Sequence, residues 1–272
     1  MSSKIIIIGY TDKRHKGQQA LLFSRISAVK KFIPEAQFFV FANYPDDEDC
    51  LEHVHFLSPL KKTGFSGNFS FLELFLRALI WSTLHKLIGV NFKELIKDLR
   101  LQMLIQSDVV LTLGGDTLTV DYGHLVYFLT VARCLFAVFL HKPLVIYAEG
   151  IGPFNNKLDK LLAKFLLERS SLVTLRENMS KANADSLHLK KVKPYVTADS
   201  AFLLEAAPTW RAKMIMKEEG FKDTSSAIVG FSVSSLIPQH GFSAYKDISL
   251  KYQSFVEIMA RLADYVVDEW NA

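Results

Sequence analysis

Five short stretches of this sequence set glycines beside residues that carry charge or a transferable proton. They are "YTDKRHKGQQA" (10–20), "GGDTLTVDYGH" (114–124), "GIGPF" (150–154), "RENMS" (176–180) and "DSAF" (199–202). Gly17, Gly114, Gly115, Gly150 and Gly152 would let backbone amides approach a ligand closely. A helix starting just after such a turn adds partial positive charge that favours an anion. Asp116, Asp121 and Asp199 stand at loop starts, where capping a helix or forming a turn is the commoner role for an aspartate. Arg176 closes an apolar run, where a guanidinium is costly unless exposed or paired. Both an anion contact and an ion pair are open to it. Glu149 holds a similar position and could orient a hydroxyl or pair with Arg176. His15 and His240 lie on loops and are the histidines best placed for proton transfer, with an ordinary surface histidine as the alternative.

These residues need a scaffold, and the chain supplies a regular one. Apolar, β-branched runs at 4–10, 36–43, 53–57, 108–114, 143–149, 172–177 and 192–199 alternate with helix-like runs. The helix-like runs fall at 17–33, 69–88, 91–106, 123–140, 157–169 and 178–188. Buried strands separated by amphipathic helices predict an α/β fold, a doubly wound parallel sheet covered on both faces. Each chemically loaded loop then follows the carboxyl end of a strand, where open sheets bind their ligands. Residues 1–205 form the expected Rossmann-like N-terminal domain. A polar, helix-like connector covers 206–227, and "AIVGFSVS" (227–234) reads as a new strand before a helix at 251–269. One strand and one helix cannot bury their own apolar faces. Residues 228–272 are therefore expected to open a second domain whose remainder lies outside the sequence.

The bulk numbers exclude several classes. Of 272 residues half are hydrophobic and 22% charged, which is enough for a sizeable core. The net charge of +4 is mild and its lysines and arginines are scattered, so no nucleic-acid stripe is expected. Cys50 and Cys134 make neither a disulfide framework nor, alone, a metal site. Dinucleotide, phosphate-loop and nucleophile-elbow signatures are missing. Two apolar stretches resemble membrane spans. Residues 69–90 contain Glu73, Arg77, His85 and Lys86, and the short run 125–140 contains Arg133, so both read as helices of a cytoplasmic domain. The first could also lie flat on the inner face of a membrane.

Taken in order, "HKGQQALL", "DVVLTLGGDTLTVDYG", "KPLVIYAEGIGPF", "SSLVTLRENMS" and "VTADSAFLL" resemble the polysaccharide pyruvyl transferase family, most of all its bacterial branch that pyruvylates cell-wall polymers. "IVGFSVSS" resembles the strand opening that family's second domain. The resemblance implies a two-domain fold like the B-type glycosyltransferases, with a cleft between domains. It implies transfer of a pyruvyl group from phosphoenolpyruvate to two hydroxyls of a cell-surface saccharide or its lipid-linked precursor, giving a ketal and phosphate. No cofactor is implied beyond the donor. On this reading Gly17, Gln18, Gly114, Gly115, Asp116, Glu149, Gly150, Gly152, Arg176 and Asp199 contribute to substrate binding, with Arg176 on the donor's acid groups. The chain departs from the family at His15, where asparagine is common, at Gln18, where an acid is common, and at Glu149, where glutamine is common. Ser234 and Ser235 stand where an arginine is frequent. Two other readings remain open: a nucleotide-sugar glycosyltransferase of the same fold, and a truncated, non-catalytic module that binds a partner or membrane through 69–90.

Overall fold

Strand β1 (Lys4–Ile8) carries four consecutive isoleucines, all buried. A run without polar alternation suits a strand covered on both faces, and the two faces divide it. Ile5 and Ile7 join a cluster with Leu22, Ile26 and Phe38, whereas Ile6 and Ile8 join one with Leu101, Phe136 and Leu144. The computed structural model describes residues 2–47, 51–60, 64–89, 93–221, 228–234, 237 and 247–270. In it β1 pairs in parallel with β2 (Gln37–Phe41) on one side and β4 (Val109–Thr112) on the other. With β3 (Val54–Leu57), β6 (Leu144–Ile151), β7 (Leu172–Leu175) and β8 (Tyr195–Val196), the strand order is β3-β2-β1-β4-β6-β7-β8. A short strand β5 (Gly115–Leu118) pairs with the end of β6, and every pairing is parallel.

This is the doubly wound α/β sheet that the alternating pattern predicts. The chain leaves β1 toward β2 and β3, then crosses to β4 on β1's other side. The order therefore reverses between β1 and β4, where an open sheet leaves a crevice beyond its carboxyl ends.

Among the described residues six α-helices join these strands: α1 (Lys16–Lys30), α2 (Gly64–Ile88), α3 (Leu99–Gln106), α4 (His124–Phe139), α5 (Lys157–Leu167) and α6 (Asn178–Asp185). Side chains close three of their N-termini. Nδ1 of His15 accepts from Gln18 N at 3.2 Å, Asp98 from Arg100 N at 2.9 Å, and Asn156 from Asp159 N at 2.9 Å. Each satisfies an amide the helix leaves unpaired. The run 125–140 is a core helix, burying Tyr127, Val131, Cys134, Leu135 and Phe136. Along α2, Phe71, Leu74, Ala78 and Trp81 are buried, whereas Phe69, Leu72, Leu76, Leu79, Ile80 and Leu87 are exposed. Among the described residues no helix is long and apolar enough to cross a membrane.

Four expected elements differ. Within the run 91–106 the described residues form a 3-10 turn at Lys93–Ile96 and then α3, which Asp98 caps. β8 covers only two residues of the run 192–199, because Lys193 and Pro194 precede it and proline cannot donate to a ladder. β6 continues through Gly150 to Ile151, past the expected turn, because β5 gives its extension a partner. Residues 228–234 belong to no strand; Ile228, Phe231 and Val233 are exposed there, and a strand without a pairing neighbour is not stable. Contacts divide the chain into units 1–205 and 206–272. The second carries α7 (Thr209–Glu218) and α8 (Ile248–Trp270).

Candidate functional site

The site's geometry begins with an irregularity in β6. Ala148 has φ 46, and the β6–β7 register shifts between Ile146 and Glu149. Such a bulge re-aims the side chains that follow it. Before it, Tyr147 lies toward α1, its ring 4.8 Å from the Arg25 guanidinium. After it, Glu149 is fully buried toward α4, where its charge is felt by Cys134. Glu149 Oε1 accepts from Thr117 N at 3.1 Å and Thr117 Oγ1 at 2.9 Å, and among the described residues Oε2 has no hydrogen-bond partner. Burial raises the pKa of this carboxyl, opposed by the Thr117 bonds and the Arg25 charge.

On the other face of β5 and β6 lies a charged cluster. Adjacent strand residues project to opposite faces, so Asp116 points away from Thr117. Arg176, at the end of β7, faces Glu177 at 2.8 Å, Asp199 at 3.5 Å and Asp116 at 3.9 Å. Burial alone would lower the Arg176 pKa; the three carboxylates outweigh it and raise the pKa above the ordinary guanidinium value. The Tyr122 hydroxyl donates to Asp116 at 2.8 Å, and burial, then that carboxylate, push its pKa up to about 12. Gly150 sits inside this cluster. A methyl there would lie 2.9 Å from Gly115 O and 3.1 Å from Arg176 Nε. Gly114, at φ 77, leaves room for Arg25, since its methyl would lie 2.2 Å from Nη2 and 2.6 Å from Tyr147 O. Gly152 sits against Asn183, whose Nδ2 donates to Ile151 O at 2.8 Å.

Thus Gly114, Gly115, Asp116, Gly150, Arg176 and Asp199 meet at the start of β5, just past the carboxyl end of β4, and at the carboxyl ends of β6 and β7, with Glu149 just beneath. Asp199 also caps the turn Ser200–Leu203, accepting from Ala201 N at 2.9 Å. The first loop is held differently. Gln18 Oε1 accepts from both Thr11 N and Thr11 Oγ1 at 2.8 Å, tying α1 back to the end of β1. Gly17 lies against the His15 ring, and His15 spends Nδ1 on its cap. His240 lies outside the described residues. Among the described residues no group of three or more His, Cys, Asp or Glu could hold a metal ion.

Three side chains escape a reading of the sequence for sites. Arg25 is wholly buried on α1, donating Nη2 to Tyr147 O at 2.9 Å, while among the described residues Nε and Nη1 have no hydrogen-bond partner. Burial pulls its pKa down to about 10 despite the Glu149 charge. His124, at the start of α4, approaches the buried Asp159 at 3.2 Å. Arg133, on α4, lines two adjoining cavities of about 30 and 60 Å³ at the ends of β1 and β4. The signal for Arg25 and Arg133 is positional: each occupies an apolar helical stripe, where a cation needs a partner.

Comparison with known proteins gives this arrangement a family. A family model described as "Polysaccharide pyruvyl transferase" matches residues 20–270, and the chain belongs to that family. The amylovoran biosynthesis protein AmsJ of Erwinia amylovora is 29% identical over 99 residues, 36% of this chain and 23% of that protein. The aligned stretch thus spans about a quarter of the relative's length.

Proposed function

We propose, starting from that membership, that the protein transfers a pyruvyl group from phosphoenolpyruvate to two hydroxyls of a saccharide. The donor's methylene carbon takes a proton and becomes a methyl group. Its central carbon forms two bonds to sugar oxygens while its bond to the phosphate oxygen breaks. Of the two hydroxyl protons released, one balances the new methyl and the other leaves with phosphate. The reaction needs carboxylates that receive hydroxyl protons and a place for the donor's anionic groups.

The observation that carries this reading is the convergence of Asp116, Glu177 and Asp199 on Arg176 at the strand ends. One cation facing three carboxylates presents a net negative surface, suited to hydrogen-bonding sugar hydroxyls and accepting their protons. In this setting Arg176 holds the acids in place, and we assign the cluster to the acceptor side. The acceptor is a cell-surface polysaccharide or its lipid-linked precursor. The exposed apolar ridge of α2 would rest on the membrane that carries such a precursor, on the cytoplasmic side where the donor is made.

The test is phosphate release from phosphoenolpyruvate by the full chain across methyl glycosides with free 1,2- or 1,3-diols. Release should depend on one class of acceptor and fall about 100-fold or more in Asp199→Asn, as expected for loss of an acid–base group. No acceptor-dependent release from any glycoside would reject the proposal. Release of a nucleoside diphosphate from a nucleotide sugar would favour the glycosyltransferase reading.

A further inference from the structure

We propose that Arg133 is the receptor for a small acid group, a carboxylate or phosphate, in the paired cavities at the carboxyl ends of β1 and β4. Under the proposed function this group belongs to the donor, so the inference in that form rests on the function reading.

Location supplies the first argument. The cavities sit where the strand order reverses, the position at which an open parallel sheet offers a crevice. The smaller is lined by Gly9, Thr112, Thr117, Thr130 and Arg133, the larger by Gly9, Tyr10, Thr11, Asn43 and Arg133. At about 60 Å³ and 30 Å³ they admit a few water-sized groups each, which is the scale of an acid group and not of a nucleoside. Gly9, at φ 98, leaves the chain free to turn at the mouth; a methyl there would touch Leu113 Cβ at 3.5 Å.

Charge supplies the second. Among the described residues Arg133 has no hydrogen bond or ion pair, although it is half-buried between Thr130 and Cys134. Burial lowers its pKa, with only the Cys134 thiol nearby to oppose that. The other arginines at this end of the sheet have partners: Arg25 has Tyr147, and Arg176 has three carboxylates. The Asn43 side chain in the larger cavity is likewise unpaired among the described residues and supplies a second donor. An unpartnered guanidinium, with the NH2 of a neighbouring amide and threonine hydroxyls able to donate, forms a cationic lining suited to an oxyanion.

The two sites divide the chemistry between them. β5 separates them, with Thr117 lining the Arg133 cavity and Asp116 joining the Arg176 cluster. A donor acid group on one side and acceptor hydroxyls on the other would place the transferred carbon beside β5.

The experiment is calorimetric titration of the full chain with phosphoenolpyruvate, inorganic phosphate and pyruvate, for wild type, Arg133→Met and Arg133→Lys. Wild type should bind at least one of the three. Arg133→Met should weaken that binding by about 10- to 100-fold, the value of a charge-assisted hydrogen bond, with Arg133→Lys between the two. Tightest binding of phosphate names the phosphate as the seated group, and of pyruvate the carboxylate. In wild type, the bound ligand should also protect Arg133 from phenylglyoxal, read by peptide mass, so the inference stands or falls even if a variant does not fold. Equal affinities in wild type and Arg133→Met, unprotected Arg133, or no binding of any of the three by wild type overturns it. Acceptor-dependent transfer that survives Arg133→Met keeps the proposed function and removes this inference. Anion binding that requires Arg133 in a protein transferring to no acceptor keeps the inference and removes the proposed function.

Discussion

Replacing Gly150 with alanine adds one methyl where the structure has no room for it. Gly150 lies within β6 and has no left-handed backbone, so the substitution costs little in conformational strain; space decides its effect. The nearest obstacle is Gly115 O at 2.9 Å, a backbone atom of β5, followed by Arg176 Nε and Nη2 at 3.1 and 3.2 Å. A side chain can swing away by a few tenths of an ångström, but the carbonyl moves only if β5 moves. β5 in turn carries Asp116 into the Arg176 cluster and Thr117 onto Glu149. Overpacking of this kind costs about 1–3 kcal/mol. At a urea slope of about 2–3 kcal/mol/M, a cost of about 2 kcal/mol lowers the unfolding midpoint by about 0.7–1 M. Equilibrium urea unfolding of the full chain, followed by tryptophan fluorescence and circular dichroism, reads it directly. Acceptor-dependent phosphate release should fall along with stability, because Asp116 shifts. Adding Arg176→Ala to Gly150→Ala should recover little stability, since the closest clash is with the carbonyl. A midpoint within about 0.2 M of wild type, or full recovery in the double variant, would refute the reasoning about β5.

Glu149→Gln should remove a pH dependence. The folded-state pKa is raised above the reference value of 4.5, so the folded protein keeps a proton that the unfolded chain loses. Its contribution to stability is fully present below the unfolded value and is lost as pH rises through the folded one. The advantage of Glu149→Gln over wild type should therefore grow with pH from about 4.5 upward, by at most about 1.4 kcal/mol per pH unit; a difference independent of pH contradicts the assignment. Arg133→Met should raise the ligand-free melting temperature by about 2–4 °C, since removing an unpaired, desolvated charge gains about 1 kcal/mol. A fall of that size would mark Arg133 as a structural residue. On α2, Leu72→Gln with Leu76→Gln alters exposed positions and should change stability by no more than about 0.5 kcal/mol. It should reduce co-flotation with anionic vesicles several-fold; unchanged flotation, or none by wild type, refutes the membrane contact.

How far the sequence discloses this molecule depends on the range over which each feature is encoded. The isoleucine run of β1 and the spacing of α1 and α4 are local, and the sheet class follows from them. Even the gathering of Gly114, Asp116, Gly150, Arg176 and Asp199 was legible, because loops after parallel strands must share one edge. What the sequence hides is set by pairing between distant residues. β5 reads as loop, because "GDTL" becomes a strand only when Gly114 and Gly115 turn the chain alongside β6. His124 and Asp159 stand 35 residues apart, and nothing local joins them. Along α2 the apolar residues run all round the helix, so the buried face containing Phe71, Leu74 and Trp81 cannot be told by periodicity from the exposed one containing Phe69, Leu72 and Leu76.

The charges show the same limit and lead to a different division of labour. Arg176 stands out in sequence because it ends a strand beside a loop, where either a ligand anion or an ion pair could answer its charge. Folding brings it Asp116 and Asp199 as well as its neighbour Glu177, so the surface it offers is acidic. Arg25 and Arg133 are hidden in apolar helical runs that read as core. In both cases burying a guanidinium demands compensation. Arg25 finds part of it in the Tyr147 carbonyl and ring. Arg133 finds none among the described residues, yet lies at the sheet's topological switch beside two cavities. A protein that keeps such a charge in place gives up stability for it. On the proposed reading the compensation comes from a ligand, with the anionic side of the chemistry at Arg133 and the hydroxyl side at Arg176.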